Sequence, residues 1–434
     1  MFKIDLTICD SILNNITTMK KKNLTIVETF VGCGGSHLGF SRAGFKTLFV
    51  NDVNPEMINT IKLNFELTLS DYHIGNIQDV SKEMIIKKKK LENINVDVLC
   101  GGIVCKGFSL AGVRNPSDLR NYLYLEQLRL VKELNPKISV IENVPQFKTT
   151  KIIRETTENK LAIEKLRELY DRKKINNGQK TSQNNNIQEL DDEYKMICQE
   201  IKEMENLLKN SLYSVFEHIL QLYVDLGYVV YHKILTCADY GDYTHRKRLF
   251  IVAIRNDVHT QSGEFLFPKP THKNPSIKGE LPNWKTVEDC FKQIDENGIN
   301  HPDVDIDNRP MNHSQKTIHR FSYIPKGGSL MDVKDTIPIE LQTNKIFSSR
   351  GSCKRLDDKK SCPTLVPGHS AFPVHPTKNR SITIREGACL TGFPNNYKFS
   401  GSHTKRCEQI GNAIPIHTAF HLASSIHSYL THLG

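Results

Sequence analysis

Short apolar runs alternate with longer amphipathic stretches through the first third of the chain, and this alternation narrows the fold more than any other feature. Leu24–Phe30, Lys46–Val50, Val96–Cys100 and Ile138–Ile141 read as buried strands. Ser36–Ala43, Pro55–Phe65 and Tyr122–Leu134 read as helices between them. The pattern resumes with a helix over Leu212–Leu226 and strands over Val229–Leu235 and Leu249–Ile254. Strands separated by helices imply a parallel sheet covered on both faces. The expected class is therefore α/β, a doubly wound, mostly parallel sheet.

Two stretches interrupt the pattern. Residues 148–210 are rich in Lys, Glu, Asn and Gln, and Leu190, Tyr194, Ile197, Ile201, Met204 and Leu208 recur at spacings of four and three. That is a short coiled-coil seam. With Ile163, Leu166 and Tyr170 upstream and an Asn-rich break between, it reads as an antiparallel helical hairpin. Residues 256–378 are rich in Pro, Gly, His and Lys and poor in periodicity, which suggests a small loop-rich second domain with short strands. Residues 1–23 form a tail, and 24–255 with 379–434 form the main domain. The run Lys87–Lys90 reads as a solvated helix end.

Composition excludes several classes. The longest apolar runs are about seven residues, far short of a membrane span. The cysteines are scattered without a CxxC pair, so neither a zinc knuckle nor a disulfide framework is expected, and no metal site is assigned. Free thiols and the lack of an apolar leader point to the cytosol. The formal charge of +10 suits a polyanionic partner.

Chemistry gathers where strands end. The first strand runs into Phe30-Val31-Gly32-Cys33-Gly34-Gly35, a turn that lets backbone approach a ligand closely. Asp52 ends the second strand, where a carboxylate can accept from both hydroxyls of a ribose. A dinucleotide fingerprint from Gly32 needs glycine at position 37, which is His37. The turn therefore suits S-adenosylmethionine better than a nicotinamide or flavin. After the third strand, glycines flank Cys105, and Glu142 closes the fourth. Arg246 and Arg248 alternate ahead of a later strand and suit phosphate or carbonyl recognition.

Taken in order, these residues resemble the C5-cytosine DNA methyltransferases of bacterial restriction–modification systems. The resemblance rests on Phe30-Val31-Gly32-Cys33-Gly34-Gly35, Asn51-Asp52, Gly75-Asn76-Ile77, Cys105-Lys106-Gly107-Phe108-Ser109, Arg120-Asn121 and Glu142-Asn143-Val144. It continues through Arg246-Lys247-Arg248, Thr364-Leu365, Arg385-Glu386, Gly392-Phe393-Pro394 and Gln409–Pro415. It implies the S-adenosylmethionine-dependent methyltransferase fold and methyl transfer to C5 of a cytosine flipped out of duplex DNA. In that scheme Cys105 adds to C6 as a thiolate, Glu142 protonates or hydrogen-bonds N3, and Asn143 orients the loop. Arg248 reaches the cytosine O2 and the backbone, with Arg246 in support. Phe30, Gly32, Gly34, Asp52, Asn76, Ile77 and Asn412 contact the cofactor, and residues 256–378 become the target recognition domain. The resemblance further implies a cytoplasmic, nucleoid-associated monomer with a possible cognate endonuclease, and a C-terminal helix packed back on the first domain.

Departures from the family pattern are Val104 for proline and Lys106 for glutamine around the nucleophile, Asn76 and Glu28 for aspartates, Thr244 for glutamine and Ile416 for proline. An RNA cytosine-5 methyltransferase and a catalytically weak DNA-binding relative stay open as alternatives. Lys106 puts a cation beside the thiol. If it favours the thiolate, Lys106→Gln shifts the pH midpoint of Cys105 alkylation upward; superimposable profiles for the two proteins remove that role.

Overall fold

The computed structural model describes residues 23–103, 115–182, 187–343, 351–368 and 372–431. Nine strands are named in chain order: β1 Thr25–Thr29, β2 Lys46–Asp52, β3 Tyr72–Ile74, β4 Val98–Gly102, β5 Ile138–Asn143, β6 Lys151–Ile153, β7 Leu212–Ser214, β8 Tyr228–Thr236 and β9 Lys247–Arg255. The helices are α1 Gly35–Arg42, α2 Pro55–Asn64, α3 Lys82–Lys89, α4 Leu123–Leu134, α5 Lys160–Ser182, α6 Ile187–Leu207 and α7 Val215–Asp225. They continue with α8 Asn256–Ser262, α9 Val287–Phe291, α10 Gln315–Tyr323, α11 Ile384–Leu390, α12 His403–Asn412 and α13 Ile416–Thr431.

Seven strands form one sheet in the order β3-β2-β1-β4-β5-β9-β8. β1 to β5 run parallel, while β9 lies antiparallel between β5 and β8. The antiparallel edge arises because β8 and β9 are joined by Cys237–Arg246 without a crossover helix, so β9 must return beside β8. Alternate residues of each strand feed opposite faces. Val27, Leu99, Ile141 and Ile251 pack with Tyr124 and Leu128 of α4 and Ile219 of α7. Ile26, Val98, Val140 and Val252 pack with Phe40 of α1 and Leu422 and Ile426 of α13. Burial on both faces is why the strands read as continuous apolar runs.

The C-terminal helix packs on α1, as the resemblance implied, and glycine makes the approach possible. A Cβ on Gly39 would sit 2.5 Å from the Ala419 side chain, and one on Gly35 would sit 2.5 Å from the Ile414 carbonyl oxygen. Asp242, fully buried in the β8–β9 connection, fixes the start of α13. Its carboxylate accepts the His417 and Thr418 backbone N–H groups at 3.1 and 2.9 Å and the Thr418 hydroxyl at 2.6 Å. A carboxylate there also complements the positive end of the helix dipole.

Residues 148–210 contain two long helices that pair antiparallel. Tyr170 donates to Glu205 at 2.6 Å, and Asn176 donates to Glu193 at 2.8 Å, so partners descend along α6 as they ascend along α5. Ile163, Leu166, Leu169, Ile197, Ile201 and Leu208 form their shared core with Ile153. β6 and β7 make an antiparallel ribbon at the base, where a helix had been expected from Leu212. The helix starts at Val215 instead, because the Ser214 hydroxyl accepts from the Glu217 N–H at 3.2 Å.

Residues 256–378 differ from expectation in two ways. The stretch from Val258 to Phe267 stays with the sheet, packing with Tyr231 and Tyr429. Among the described residues this region makes short helices and isolated bridges rather than strands. A buried guanidinium ties the region together: Arg355 donates to the carbonyls of Phe321 and Ile324 at the end of α10 and of His375 and Lys378, at 2.6 to 3.0 Å. A small core of Phe321, Ile324, Leu330, Ile337, Leu341 and Val374 surrounds it. The run Lys87–Lys90 is also more than a solvated end, since Lys88 donates to the Tyr72 carbonyl at 2.6 Å and Lys89 pairs with Asp71.

The α1–α13 contact predicts a stability effect. Gly39→Val lowers the unfolding free energy by about 1–3 kcal/mol through overpacking, whereas exposed Ser41→Val changes it by less than about 0.5 kcal/mol. Urea denaturation of both variants checks this; equal midpoints would remove the role assigned to Gly39.

Candidate active site

β1 and β4 are neighbours in the sheet although the chain visits β2 and β3 between them. The order reverses here, and in open α/β sheets ligands bind at the strand ends beside such a reversal. Four of the expected features lie at those ends: the glycine turn after β1, Asp52 on β2, the Gly101-Gly102 pair on β4 and Glu142 on β5.

The glycine turn is shaped by positive φ angles at Phe30 (49°), Gly32 (58°) and Gly34 (91°). Gly34 is the N-cap of α1. A Cβ on Gly32 would meet nothing within 4 Å, so the turn faces open space at that residue. The Gly32 N–H donates to one Asp52 carboxylate oxygen at 2.9 Å, and the Asn54 N–H donates to the other at 2.9 Å. Burial pushes the Asp52 carboxyl above its ordinary range, against the pull of those two amides. Phe30 is half-buried against the core on the α4 side of the sheet. Ile77 is buried in that same core, and Asn76 is exposed just before it. Asn412 is exposed at the end of α12.

Tyr397, not singled out from sequence, and Glu28 with His37, noted there only as departures from known patterns, hold this turn in place. Tyr397 donates its hydroxyl to the Cys33 carbonyl at 2.7 Å, and the same oxygen would lie 2.7 Å from a Cβ on Gly34. Glu28 accepts from the Ser36 hydroxyl at 3.0 Å and contacts His37 Nδ1 at 2.5 Å. Position 37, where a dinucleotide fingerprint would need glycine, therefore carries a buried polar clamp back to β1. The sequence marks Glu28 as a replacement for aspartate and His37 as a break in the dinucleotide fingerprint without linking the two, and it carries no signal for Tyr397.

At the other side of the crevice, Arg248 Nε pairs with Glu142 Oε1 at 2.7 Å, both side chains largely buried. Burial pushes the Glu142 carboxyl above its ordinary range, and Arg248 opposes that rise. A Cβ on Gly102 would lie 3.6 Å from Glu142 Oε2 and 3.6 Å from the Phe30 carbonyl oxygen, so the carboxyl and the glycine turn border one space. Asn143 donates to the Ile103 carbonyl at 3.2 Å and accepts from the Val144 N–H at 2.8 Å. It thereby holds the chain as it leaves β4.

The two arginines do not act as a pair. Arg246 donates to the carbonyls of Gly411 at 2.7 Å and Leu365 at 3.3 Å, tying the β8–β9 connection to the end of α12. Neither arginine belongs to a solvated strand, since both are buried. Cys105, Val104 and Lys106 lie outside the described residues. Two other cysteines flank the crevice, and burial drives both away from reactivity: the Cys33 thiol is pushed up to about 12 and the Cys100 thiol well above the usual cysteine range. Among the described residues no group of three or more His, Cys, Asp or Glu side chains could hold a metal ion.

Comparison with known proteins gives a concordant result. The family model described as C-5 cytosine-specific DNA methylase matches residues 24–196 and 203–428. The type II methyltransferase M1.HphI of Haemophilus parahaemolyticus is 27% identical over 91% of this chain and 84% of its own. The type II methyltransferase M.HhaI of the same species is 24% identical over 95% and 98%. Among solved structures, a prophage-encoded Escherichia coli protein assigned as a DNA modification methyltransferase superposes with a TM-score of 0.60 at 20% identity. It covers 94% of this chain and all of its own, which speaks to the fold.

The Glu142–Arg248 pair predicts a pH effect on stability. A carboxyl raised in the folded state binds more protons there than when unfolded, so stability is full below the unfolded pKa and falls as pH rises through the folded value. Arg248→Leu removes the opposing charge and raises the Glu142 carboxyl further. Its stability therefore falls more steeply than the parent's from pH 5 to 8, and adding Glu142→Gln abolishes the extra slope. Chemical denaturation across that range checks this; parallel curves for parent and Arg248→Leu would contradict it.

Proposed function

This chain belongs to the C-5 cytosine-specific DNA methylase family and is a DNA (cytosine-5)-methyltransferase, and we propose that its chemistry runs through Cys105, Glu142, Asn143, Arg246 and Arg248. The observation that carries this reading is the Glu142 carboxyl, buried at the reversal of the sheet beside the glycine turn and raised in pKa. A carboxyl poised toward protonation can donate to N3 of a cytosine just as charge develops there. The proposed sequence of bonds begins with Cys105. Its thiolate adds to C6, the ring electrons move toward C5, and Glu142 supplies a proton or hydrogen bond at N3. Once C5 carries the methyl group it loses its proton to a base, and the Cys105 thiolate departs. Burial of Cys33 and Cys100 as thiols leaves no competing nucleophile among the described cysteines at these strand ends.

Arg248 keeps Glu142 oriented and would offer its remaining donors to the base. Arg246 acts at one remove, holding Gly411 and so the neighbouring Asn412 near the glycine turn. Asn143 fixes the chain ahead of Cys105.

S-adenosylmethionine, when bound, supplies an electrophilic methyl group on a sulfonium. The residues fit such a ligand: open space faces Gly32, and a carboxylate held by two backbone amides stands beside it. Phe30, Gly32, Gly34, Asp52, Asn76, Ile77 and Asn412 would hold it, with Asp52 taking the ribose hydroxyls. Residues 256–378 would read the DNA sequence through side chains in the major groove. The substrate is duplex DNA, consistent with the +10 formal charge. The named relatives are type II methyltransferases, which supports a place in a restriction–modification system; a cognate endonuclease, a cytoplasmic location at the nucleoid and a monomeric state complete the proposal.

Bisulfite sequencing of plasmid DNA from cells expressing the chain is expected to show C5-methylated cytosines in one fixed context. A duplex with 5-fluorocytosine at that position then traps the parent covalently but not Cys105→Ser. Glu142→Gln slows transfer by about 10²–10⁴-fold. Unmodified plasmid, or a Cys105→Ser variant that methylates as the parent does, overturns the assignment.

A further inference from the structure

Gln127 breaks the apolar face of α4. Its helix neighbours Tyr124, Leu128 and Val131 all join the core on that side of the sheet, and Gln127 is as deeply buried as they are. The Thr29 hydroxyl, also enclosed at the end of β1, donates to Gln127 Oε1 at 2.5 Å. The hydroxyl's other neighbour, the Cys100 carbonyl, lies at 3.5 Å. Gln127 Nε2 has no hydrogen-bond partner among the described residues. A buried donor left without an acceptor destabilises a fold, and a methionine of the same reach would carry no such donor. Packing alone therefore does not account for a glutamine here.

The carboxamide lies where only a glycine leaves room. Thr29 pairs with Gly101 across β1 and β4. A Cβ on Gly101 would lie 2.7 Å from Gln127 Cδ and 2.8 Å from its Nε2. Helix α4 thus reaches the last rung between the two strands at which the sheet order reverses. Beyond that rung both strands border the crevice. Phe30, the residue after Thr29, takes a φ of 49°, a left-handed conformation that a residue with a side chain keeps only under constraint. The amides that follow are engaged by β2: the Val31 N–H donates to the Asn51 carbonyl at 3.1 Å and the Gly32 N–H to Asp52 at 2.9 Å. On the other strand, a Cβ on Gly102 would meet the Phe30 carbonyl oxygen and Glu142 Oε2, each at 3.6 Å.

We infer that the Thr29–Gln127 hydrogen bond is a latch that holds Phe30 in its left-handed conformation and so presets the cofactor side of the crevice. Thr29 and Gln127 are positioning residues, not catalytic ones, since both side chains are enclosed in the core. The inference rests on the reading of Phe30 and Gly32 as cofactor contacts. A turn that holds its binding shape only part of the time binds its ligand more weakly by that fraction.

The test compares full-length parent, Thr29→Val, Thr29→Ser, Gln127→Met and the double variant Thr29→Val/Gln127→Met. Calorimetry measures S-adenosylmethionine binding, urea denaturation measures stability, and hydrogen–deuterium exchange in the peptide Phe30–Gly34 reports on the turn without any ligand. Thr29→Val and Gln127→Met are each expected to weaken S-adenosylmethionine binding by about 3- to 10-fold, the worth of one neutral hydrogen bond, and to quicken exchange at the turn. Thr29→Ser, which keeps the hydroxyl, binds and exchanges as the parent does. The double variant separates positioning from packing. It removes both polar partners, so its urea midpoint returns to the parent's or rises above it, while binding stays weak and exchange at the turn stays fast. Recovery of cofactor affinity together with stability overturns the inference, as do folded single variants that bind and exchange like the parent. Should Gln127→Met lose its fold, Thr29→Val, which keeps the shape of the side chain, carries the comparison. If the parent binds no S-adenosylmethionine while exchange at the turn still quickens on substitution, the cofactor reading fails and the latch stands.

Discussion

A carboxylate stands buried at the end of β5 because a guanidinium stands beside it on β9. Left unpaired, such a group would be costly: breaking a buried pair by removing one partner is worth about 3–5 kcal/mol. Everything around the crevice is arranged to deliver that partner. The antiparallel return of β9 places Phe250 opposite Glu142 and brings Arg248 alongside the carboxyl. A wholly parallel sheet would deliver the start of that strand to the opposite edge of the sheet, away from the crevice. The antiparallel edge is therefore a requirement of the site rather than an irregularity of the sheet.

The second requirement is closure by the C-terminus. The glycine turn carries positive φ at three positions, and conformations of that kind persist only where surroundings hold them. Here the surroundings come from far along the chain: Tyr397 on the Cys33 carbonyl, Ile414 against Gly35 and Ala419 against Gly39. Arg246 and Asp242 bind the same C-terminal segment from the β8–β9 connection. The cofactor side and the chemical side of the crevice are thus coupled through one returning segment.

Much of this was legible in the residues. Buried strands announce themselves by apolar runs, and Gly32, Gly34, Asp52 and Glu142 sit where strand-end logic places them, because those signals are local. What sequence could not yield was long-range. Arg246 looks like a ligand-binding side chain beside Arg248, yet its carbonyl partners lie in segments that no periodicity links to it. Tyr397 and Asp242 carry no motif of their own. In residues 256–378 a single Arg355 gathers carbonyls from the end of α10 and from His375 and Lys378, and a buried guanidinium doing so leaves no trace in hydrophobic patterning. The lysine run misled for the same reason, since its partners Asp71 and Tyr72, at the start of β3, are contributed by tertiary structure.

The β6–β7 ribbon gives the molecule one more property. Ile152 faces the core of the sheet and the adjacent Ile153 faces the core of the hairpin. Two interiors meet across a single peptide unit without mixing. Such a junction is a partition: the apolar contacts of the hairpin and those of the sheet are made by different side chains on either side of it.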